Sequence, residues 1–220
     1  MPNSREAREQ LRAVGAYMTE NGLTWGNAGN VSVRAGPDRY WITASGTDLG
    51  ELRDEELVEC ALSAGAVEPS GCKPSKEWPM HGAVYAKRPD VQAVLHASPF
   101  YSTLVACTDI AIPSGWFVES MYYLERIERV PYAHPGSAEL GKAVGEKADK
   151  ANVLLLENHG VLVYDTSLKE ARMALHTLET ACRMLIAARG AGLKPKELDG
   201  RTVSHFLAHS GYRPRRRWPE

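Results

Sequence analysis

One stretch of the sequence decides the fold, because it joins two apolar runs through a polar segment: Val153-Leu154-Leu155-Leu156-Glu157-Asn158-His159-Gly160-Val161-Leu162-Val163-Tyr164. The first run, residues 153–156, is fully apolar and predicts a strand. It stops at the polar segment, and the second run, residues 161–164, continues it. Helical spacing of apolar residues lies on both sides, from about Ser137 to Lys150 and from Leu168 to about Arg189. Strand segments between helices indicate an α/β protein.

The rest of the chain alternates in the same way. A first helix is predicted from Ser4 to about Asn21, and the β-prone residues 31–34 and 40–43 predict a hairpin around the turn Gly36-Pro37-Asp38. The further predicted elements are a strand at 57–62, a helix from about Ser75 to 87–89, a strand at 91–96, an amphipathic stretch at 98–107 and a strand-like segment at 129–132. Interleaved hairpins argue against an all-parallel sheet.

Composition limits the classes of function. With 220 residues, 44% of them hydrophobic, the chain predicts a single domain over residues 1–220 with a less regular, basic tail from about residue 194. The basic run of that tail, Arg213-Pro214-Arg215-Arg216-Arg217, is expected to be a solvated or mobile end. The net charge of −1 gives no general attraction to nucleic acid or to an anionic membrane, and no run reaches the roughly 18 apolar residues of a membrane span. Four cysteines without a C-x-x-C pair, and an N-terminus without an apolar signal segment, indicate reduced thiols in the cytoplasm.

Three residues are candidates for chemistry. His96 and His159 each follow an apolar strand, where a neutral imidazole can bind a metal ion, although a hydrogen-bonded structural histidine explains either position alone. Glu77 stands at the start of a predicted helix beside Trp78 and Pro79, and near a metal it would serve as a ligand or base. Taken singly, it is also explained as a favourable partner of the helix dipole.

Two small-residue segments could hold a phosphate group. They are the loop Asn27-Ala28-Gly29-Asn30 and the turn Thr43-Ala44-Ser45-Gly46, which supply backbone amides and hydroxyls. Ser75 adds the free amides of a helix start. An ordinary tight turn explains each segment equally well.

Taken in order, six motifs resemble the class II aldolase/adducin family. They are Gly29-Asn30-Val31-Ser32-Val33-Arg34, Ile42-Thr43-Ala44-Ser45-Gly46, Lys73-Pro74-Ser75-Lys76-Glu77, Val94-Leu95-His96, Pro131-Tyr132-Ala133-His134-Pro135-Gly136-Ser137 and Leu156-Glu157-Asn158-His159-Gly160. The resemblance covers about residues 8 to 190. It implies a three-layer α/β/α fold with a central, mainly antiparallel sheet, usually assembled as a homotetramer.

The resemblance also implies a site. Family enzymes hold a divalent metal ion, most often zinc, through three histidines with a nearby acidic residue; manganese, cobalt or iron(II) are the alternatives. Carried over, His96 and His159 are metal ligands, and Glu77 is the acid/base or a further ligand. The residues that fall where the family binds substrate phosphate are Gly29, Asn30, Ser45, Gly46 and Ser75. The implied activity is a metal-dependent lyase that cleaves or decarboxylates a small phosphorylated ketose or sugar acid through an enediolate, with Glu77 moving the proton.

Two departures from the family pattern bear on this prediction. The family strand commonly ends in His-x-His, whereas this chain has His96-Ala97-Ser98, and a serine hydroxyl is a poor zinc ligand. Either His96, His159 and Glu77 hold the ion with water, or the site is degraded, or another histidine substitutes; the candidates are His134, His205 and His209. Lys76 is the second departure. It stands where several family aldolases have a serine, and the segment resembles the pattern of tetronate-phosphate decarboxylases. Lys76 is therefore expected to pair with a phosphate or a substrate carboxylate. A solvated lysine at a helix start explains the position equally well.

Other residues have less defined roles. His81 and His176 are predicted to be structural, and the family's tyrosine from a neighbouring subunit falls near Phe117, with Tyr122, Tyr123 or Tyr212 as replacements. Three alternative functions stay open. They are a sugar-phosphate 4-epimerase with the same site, a non-catalytic adducin-like interaction module, and an iron-dependent oxygen chemistry at a site of two histidines and one carboxylate.

Overall fold

The computed structural model describes residues 4–62, 65–66, 71–211 and 216–218. Its helices are α1 Ser4–Glu20, α2 Trp78–Lys87, α3 Phe100–Ala106, α4 Val118–Tyr123, α5 Ala138–Gly145, α6 Leu168–Gly190 and α7 Gly200–His209. Its strands are β1 Asn30–Arg34, β2 Arg39–Thr43, β3 Leu57–Ala61, β4 Gly65–Ala66, β5 Ala93–Ala97, β6 Ile127–Val130, β7 Val153–Leu156 and β8 Gly160–Asp165. Short 3-10 helices cover Leu49–Glu51 and Asp54–Glu56.

The strands form one mixed sheet in the order β4-β3-β2-β1-β5-β8-β7-β6. Every neighbouring pair is antiparallel except β6 and β7, which are parallel. The predicted hairpin is the β1–β2 pair, in which Ser32 lies opposite Ile42. The mainly antiparallel sheet confirms the predicted fold class.

Alternating strand residues build a core on each face of the sheet. Val31, Leu95 and Val163 pack on one side with α1, α3 and α6. Val94, Leu162 and Tyr164 pack on the opposite side with α2 and α5. Because side chains along a strand alternate between faces, a central sheet covered by helices on both sides needs apolar residues at nearly every position. The result is the predicted three-layer α/β/α arrangement.

The segment 153–164 is a hairpin, so the prediction that its second run continues the first strand was wrong. β7 ends at Leu156, which pairs with Gly160, and the two strands run antiparallel. Asn158 makes the reversal with φ of 54°, a left-handed conformation that asparagine tolerates better than most residues. This turn places His159 beside the strand end.

Some predicted boundaries also differ. Helix α2 begins at Trp78 rather than near Ser75, with a proline in its first turn, where the missing N–H costs no hydrogen bond. The strand expected at 129–132 is β6, Ile127–Val130, and the helix expected from Ser137 to Lys150 is α5, Ala138–Gly145. Leaving Ser75 to Glu77 outside α2 puts these residues in a loop against the sheet.

The C-terminal tail is more ordered than the sequence indicated. It contains α7, whose first amides, those of Arg201 and Thr202, donate to the side chain of Asp199. Arg216, expected to be solvated, is 6% exposed and donates to Asp165 at 2.6 Å and to Glu125 at 3.2 Å. Acidic partners brought by distant segments explain this burial. The remaining arginines of the basic run before Arg216, and Tyr212, lie outside the described residues.

None of the helices in the described ranges is long and apolar enough to cross a membrane.

Candidate active site

A cleft of about 390 Å³ opens where β1 begins and where β2 and β5 end, and the residues of the family motifs meet there. Its walls are Trp25, Asn27, Ala28, Gly29, Asn30, Ala44, Ser45, Gly46, Ser75, Lys76, Glu77, His96, Ser98, Pro135 and His159. Every residue predicted to bind metal or phosphate therefore lines one cavity.

Strand register brings the two sides of the cleft together. Asn30, the first residue of β1, lies opposite His96 of β5. Gly29, just before β1, has φ of +87°, and a Cβ there would lie 2.7 Å from the His96 carbonyl oxygen. Only glycine combines this backbone conformation with such a close approach. The loop before β1 can therefore lie directly against the strand that carries His96.

The loop before α2 is tied to the end of β2. The amide of Ser75 donates to the Thr43 carbonyl at 3.0 Å, and the amide of Ser45 donates to the Lys73 carbonyl at 3.0 Å. The Ser75 hydroxyl accepts from the amide of Glu77 at 3.3 Å. These bonds place Ser45, Ser75 and Glu77 on the same wall.

Glu77 lies between the two histidines. Its Oε2 is 3.2 Å from His96 Nε2, and its Oε1 is 3.1 Å from His159 Nε2. The imidazole rings lie 4.7 Å apart between centroids. Among the described residues, this is the one group of three or more His, Cys, Asp or Glu side chains with ligand atoms within 4.8 Å of one another.

The hydrogen bonds of His96 determine which of its nitrogens faces Glu77. His96 Nδ1 lies 3.0 Å from the Val161 carbonyl, which can only accept, so Nδ1 carries the proton. Burial lowers the pKa of His96 and favours its neutral form. Neutral His96 then turns a lone pair of Nε2 toward the carboxylate.

Glu77 is ionised. Burial by itself would raise its pKa, but positive charge at His96 and His159, together with hydrogen bonds from His159 and the Asn30 amide, lowers the pKa to about 2. Where His96 is neutral, a cation bound among the three side chains would supply that charge instead. A carboxylate oxygen facing an imidazole lone pair at 3.2 Å repels it unless a cation lies between them.

A divalent cation satisfies these groups. Buried Glu77 Oε1 receives no well-aligned hydrogen bond from the described residues, although His159 Nε2 lies 3.1 Å away, so a cation among these atoms would satisfy it. Two imidazole nitrogens and a carboxylate are a donor set that suits zinc and other first-row divalent ions. The residues present therefore fit the metal ion that the resemblance implied.

The histidine missing at Ser98 has no substitute within the described chain. Ser98 lines the cleft and donates to the His159 carbonyl at 3.4 Å. His134 does not join the cluster, nor do His205 and His209 on α7. Of the two histidines expected to be structural, His81 is fully buried and His176 hydrogen-bonds with Tyr17 at 2.7 Å.

The tyrosine candidates lie elsewhere. Tyr122 is buried and donates to Glu170, and neither Tyr122, Tyr123 nor Phe117 is among the cleft residues. Sequence reasoning missed Trp25 and Pro135 as cleft residues. Trp25 immediately precedes the Gly/Asn-rich loop, and a large aromatic at that place is the signal that could have found it.

Comparison with known sequences gives the family. Residues 9–186 match the Class II Aldolase and Adducin N-terminal domain. The chain belongs to the class II aldolase/adducin family. The chain is 31% identical over 191 residues to 3-oxo-tetronate 4-phosphate decarboxylase of Haemophilus influenzae, and the match covers 85% of this chain and 90% of that relative. It is 36% identical over 183 residues to 5-methylthioribulose-1-phosphate/5-deoxyribulose-1-phosphate aldolase of Rhodospirillum rubrum, covering 82% and 81%.

Solved structures agree with the sequence comparison. The structure of YgbL from Klebsiella pneumoniae superimposes with a TM-score of 0.85 and 28% identity, covering 93% of this chain and 99% of that one. The family and fold predicted from the six motifs are confirmed. With a decarboxylase and an aldolase as relatives, the chain is a class II aldolase-like carbon–carbon lyase.

Proposed function

We propose that this lyase is metal-dependent and cleaves or decarboxylates a small phosphorylated ketose or sugar acid through an enediolate. The observation that carries the proposal is the position of the Glu77 carboxylate between His96 Nε2 and His159 Nε2 on the floor of the cleft. His96, His159 and Glu77 would hold a divalent ion, with zinc as the first candidate and manganese, cobalt or iron(II) as the others. Such an ion, when bound, acts as a Lewis acid that stabilises the negative charge left by carbon–carbon cleavage.

Glu77 is the proposed acid/base. Its carboxylate is ionised, largely buried and within reach of the same cavity that holds the phosphate-binding candidates. A buried carboxylate near the reacting carbon can accept a proton and return it to the product. One of its oxygens is held by the Asn30 amide at 2.8 Å, which limits the orientations that the carboxylate can adopt.

The substrate phosphate is proposed to bind in the same cleft, among its small and polar residues. The residues are Gly29, Asn30, Ser45, Gly46 and Ser75. Their candidate donors are the Ser45 and Ser75 hydroxyls, the Asn30 side-chain amide and the backbone amides of the two glycines, since the backbone amides of Ser45 and Ser75 already donate to carbonyls. Hydrogen-bond donors of this kind bind a phosphate without a cluster of positive side chains. This fits a protein whose net charge is −1 and which must attract its substrate locally.

Lys76 favours a sugar acid over a ketose. It lines the cleft between Ser75 and Glu77, where an ammonium group could pair with a substrate carboxylate. The Haemophilus influenzae relative is named for a phosphorylated oxo-acid. We therefore propose decarboxylation of a phosphorylated oxo-acid as the first reaction to test.

The metal is tested with protein purified without a histidine tag. We expect about one tightly bound divalent ion per chain, and a reduced content in His159→Ala. The matched control is His176→Ala, which removes a histidine bonded to Tyr17 outside the cleft and should keep the ion. Failure of the wild-type chain to bind zinc, manganese, cobalt or iron(II) would contradict the proposal.

The reaction is tested by assaying phosphorylated oxo-acids for carbon dioxide and phosphorylated ketoses for free aldehyde. We expect Lys76→Ala to lower kcat/KM for the acid more than for the ketose, while Lys73→Ala, three residues away and not among the cleft residues, changes neither. Interconversion of sugar phosphates without fragments would instead indicate an epimerase.

The assembly is proposed from the family resemblance, and the location from the four scattered cysteines. We propose a homotetramer that works in the cytoplasm and takes a small-molecule substrate, with no nucleic-acid or membrane partner. Light scattering of the purified chain would measure the number of copies, and a monomer at micromolar concentration would contradict the tetramer.

A further inference from the structure

Four buried polar side chains connect the interior of the domain to Glu77. Asn30 and Ser32 are two residues apart on β1 and so project from the same face of the strand. His81 and Tyr85 are four residues apart on α2 and share one face of that helix. The strand face and the helix face meet, and we name the set Tyr85, Ser32, His81 and Asn30 the polar chain.

Each member of the polar chain contacts the next at hydrogen-bonding distance. Tyr85 OH lies 2.9 Å from Ser32 Oγ, and Ser32 Oγ lies 2.7 Å from His81 Nδ1. His81 Nε2 lies 2.6 Å from Asn30 Oδ1, and Asn30 Nδ2 donates to Glu77 Oε2 at 2.8 Å. The exposed fractions are 5% or less for all four residues, so solvent does not compete for these bonds.

The placement of the Asn30 amide determines the direction of every hydrogen in the polar chain. Its nitrogen, which can only donate, faces Glu77 Oε2, and its oxygen, which can only accept, faces His81 Nε2. His81 therefore carries its proton on Nε2. Burial lowers the pKa of His81 to about 3, so its Nδ1 is bare and accepts the Ser32 hydroxyl proton. Ser32 Oγ in turn accepts from Tyr85.

The reverse arrangement is opposed by repulsion at Glu77 and, with this tautomer of His81, at a second contact. If the Asn30 amide were turned over, its oxygen would face the Glu77 carboxylate, and its NH₂ would face the N–H of His81 unless the His81 proton moved to Nδ1. In a buried site without water to compensate, each mismatched contact is costly. The polar chain thus has one consistent orientation as long as His81 donates from Nε2.

We propose that His81, supported by Ser32 and Tyr85, is a positioning residue that keeps an N–H of Asn30 directed at Glu77 Oε2. Held in this way, Glu77 presents Oε1, which lies 3.1 Å from His159 Nε2, to the metal ion or the substrate proton. The inference rests on the proposed function for its catalytic consequence, but the orientation of the polar chain can be measured without any substrate.

The first test compares variants along the polar chain. We expect His81→Leu to lower kcat by about 10–100-fold with KM unchanged, because a second-layer partner acts through the group that it orients. His81→Gln, which can place an amide N–H near the position of Nε2–H, should recover most of kcat. Ser32→Ala should lower kcat by less, about threefold to tenfold, because it acts on Asn30 only through the proton of His81.

The matched control is Val84→Ala, which removes buried side-chain volume from the same helix without touching the polar chain. It should lower the melting temperature and leave kcat unchanged. Equal loss of kcat in Val84→Ala and His81→Leu would show that only helix packing matters and would overturn the proposal. So would unchanged kcat in both His81→Leu and Ser32→Ala.

The second test measures the His81 tautomer in the full chain by ¹⁵N NMR of labelled histidine, with the signal assigned by its loss in His81→Gln. We expect the proton on Nε2 with Nδ1 bare, and a changed Nδ1 shift in Ser32→Ala. A proton on Nδ1 would overturn the polar chain even if the enzyme is an active lyase. Wild-type protein that cleaves no phosphorylated substrate but shows the Nε2–H tautomer would instead contradict the proposed function and leave the orientation established.

Discussion

Substituting Gly29 by alanine tests the close contact between the loop before β1 and β5, the strand that carries His96. The backbone at Gly29 has φ of +87°, and an added Cβ would lie 2.7 Å from the His96 carbonyl oxygen. A left-handed conformation costs a residue with a Cβ about 1–2 kcal/mol, and relieving a steric overlap costs about 1–3 kcal/mol more. We therefore expect Gly29→Ala to lower the free energy of unfolding by about 2–5 kcal/mol.

The matched control is Gly22→Ala. Gly22 also has a positive φ, of +65°, but nothing lies within 4 Å of its added Cβ. The free energy of unfolding of Gly22→Ala should fall only by the cost of the left-handed conformation, about 1–2 kcal/mol. Urea unfolding followed by circular dichroism measures both variants, and divalent-metal titration measures whether the shift of the loop reaches His96.

Two results would refute this reasoning. Equal losses of stability in Gly29→Ala and Gly22→Ala would mean that the loop does not lie against the His96 carbonyl. A large loss in Gly29→Ala with unchanged metal affinity would mean that the loop supports the fold but not the proposed metal site.

Three further predictions follow from other contacts. Glu77→Gln keeps the shape of the side chain but removes its charge, so kcat should fall by about 10²–10⁴-fold in steady-state assays. The circular dichroism spectrum should be unchanged. A retained kcat would exclude Glu77 as the acid/base. Arg216→Met leaves the buried carboxylate of Asp165 without its cation and should lower the free energy of unfolding by about 3–5 kcal/mol in urea titrations. The double variant Arg216→Met/Asp165→Asn should recover part of that loss. A loss below about 1 kcal/mol, on the order of an exposed ion pair, would show that the tail does not pack against the domain. Burial alone would raise the pKa of Asp90, but hydrogen bonds from Arg88 hold the pKa below its ordinary value of 3.8. The pair therefore contributes its full stabilisation of the fold above pH 3.8, and this contribution is lost as the pH falls below that value. Thermal unfolding of Asp90→Asn should accordingly depend less on pH in that acid range than that of the wild type, and parallel curves would contradict the assignment.

Much of the candidate site could be predicted because it depends on short motifs. The segments around Gly29, Ser45, Glu77, His96 and His159 resemble one family in order and spacing, and the structure brings all of them to one cleft. No local sequence pattern could show which oxygen of Glu77 accepts the hydrogen bond from Asn30. That bond depends on the packing of α2 against β1, which are distant in the sequence. His81 was expected to be structural, and only its contacts with Ser32 and Asn30 show what it orients.

The errors in the fold prediction also come from contacts between segments that are distant in the sequence. The turn at Asn158 reverses the chain between two apolar runs, and the two strands pair directly with each other. On their outer sides β8 pairs with β5 and β7 pairs with β6. The basic tail was expected to be solvated because a run of arginines normally is. Arg216 is buried because Asp165 and Glu125 approach it from other parts of the chain.

By itself, the sequence determined the helices α1 and α6, the β1–β2 hairpin, the α/β class and the family, because spacing of apolar residues and short motifs are properties of neighbouring positions. Only the tertiary structure decided the order of the strands, the contact of Glu77 with both histidines, and the absence of a substitute for the missing histidine among the described residues. These features depend on which distant segments pack together. That choice follows from burying both faces of one sheet, and no stretch of sequence specifies it alone.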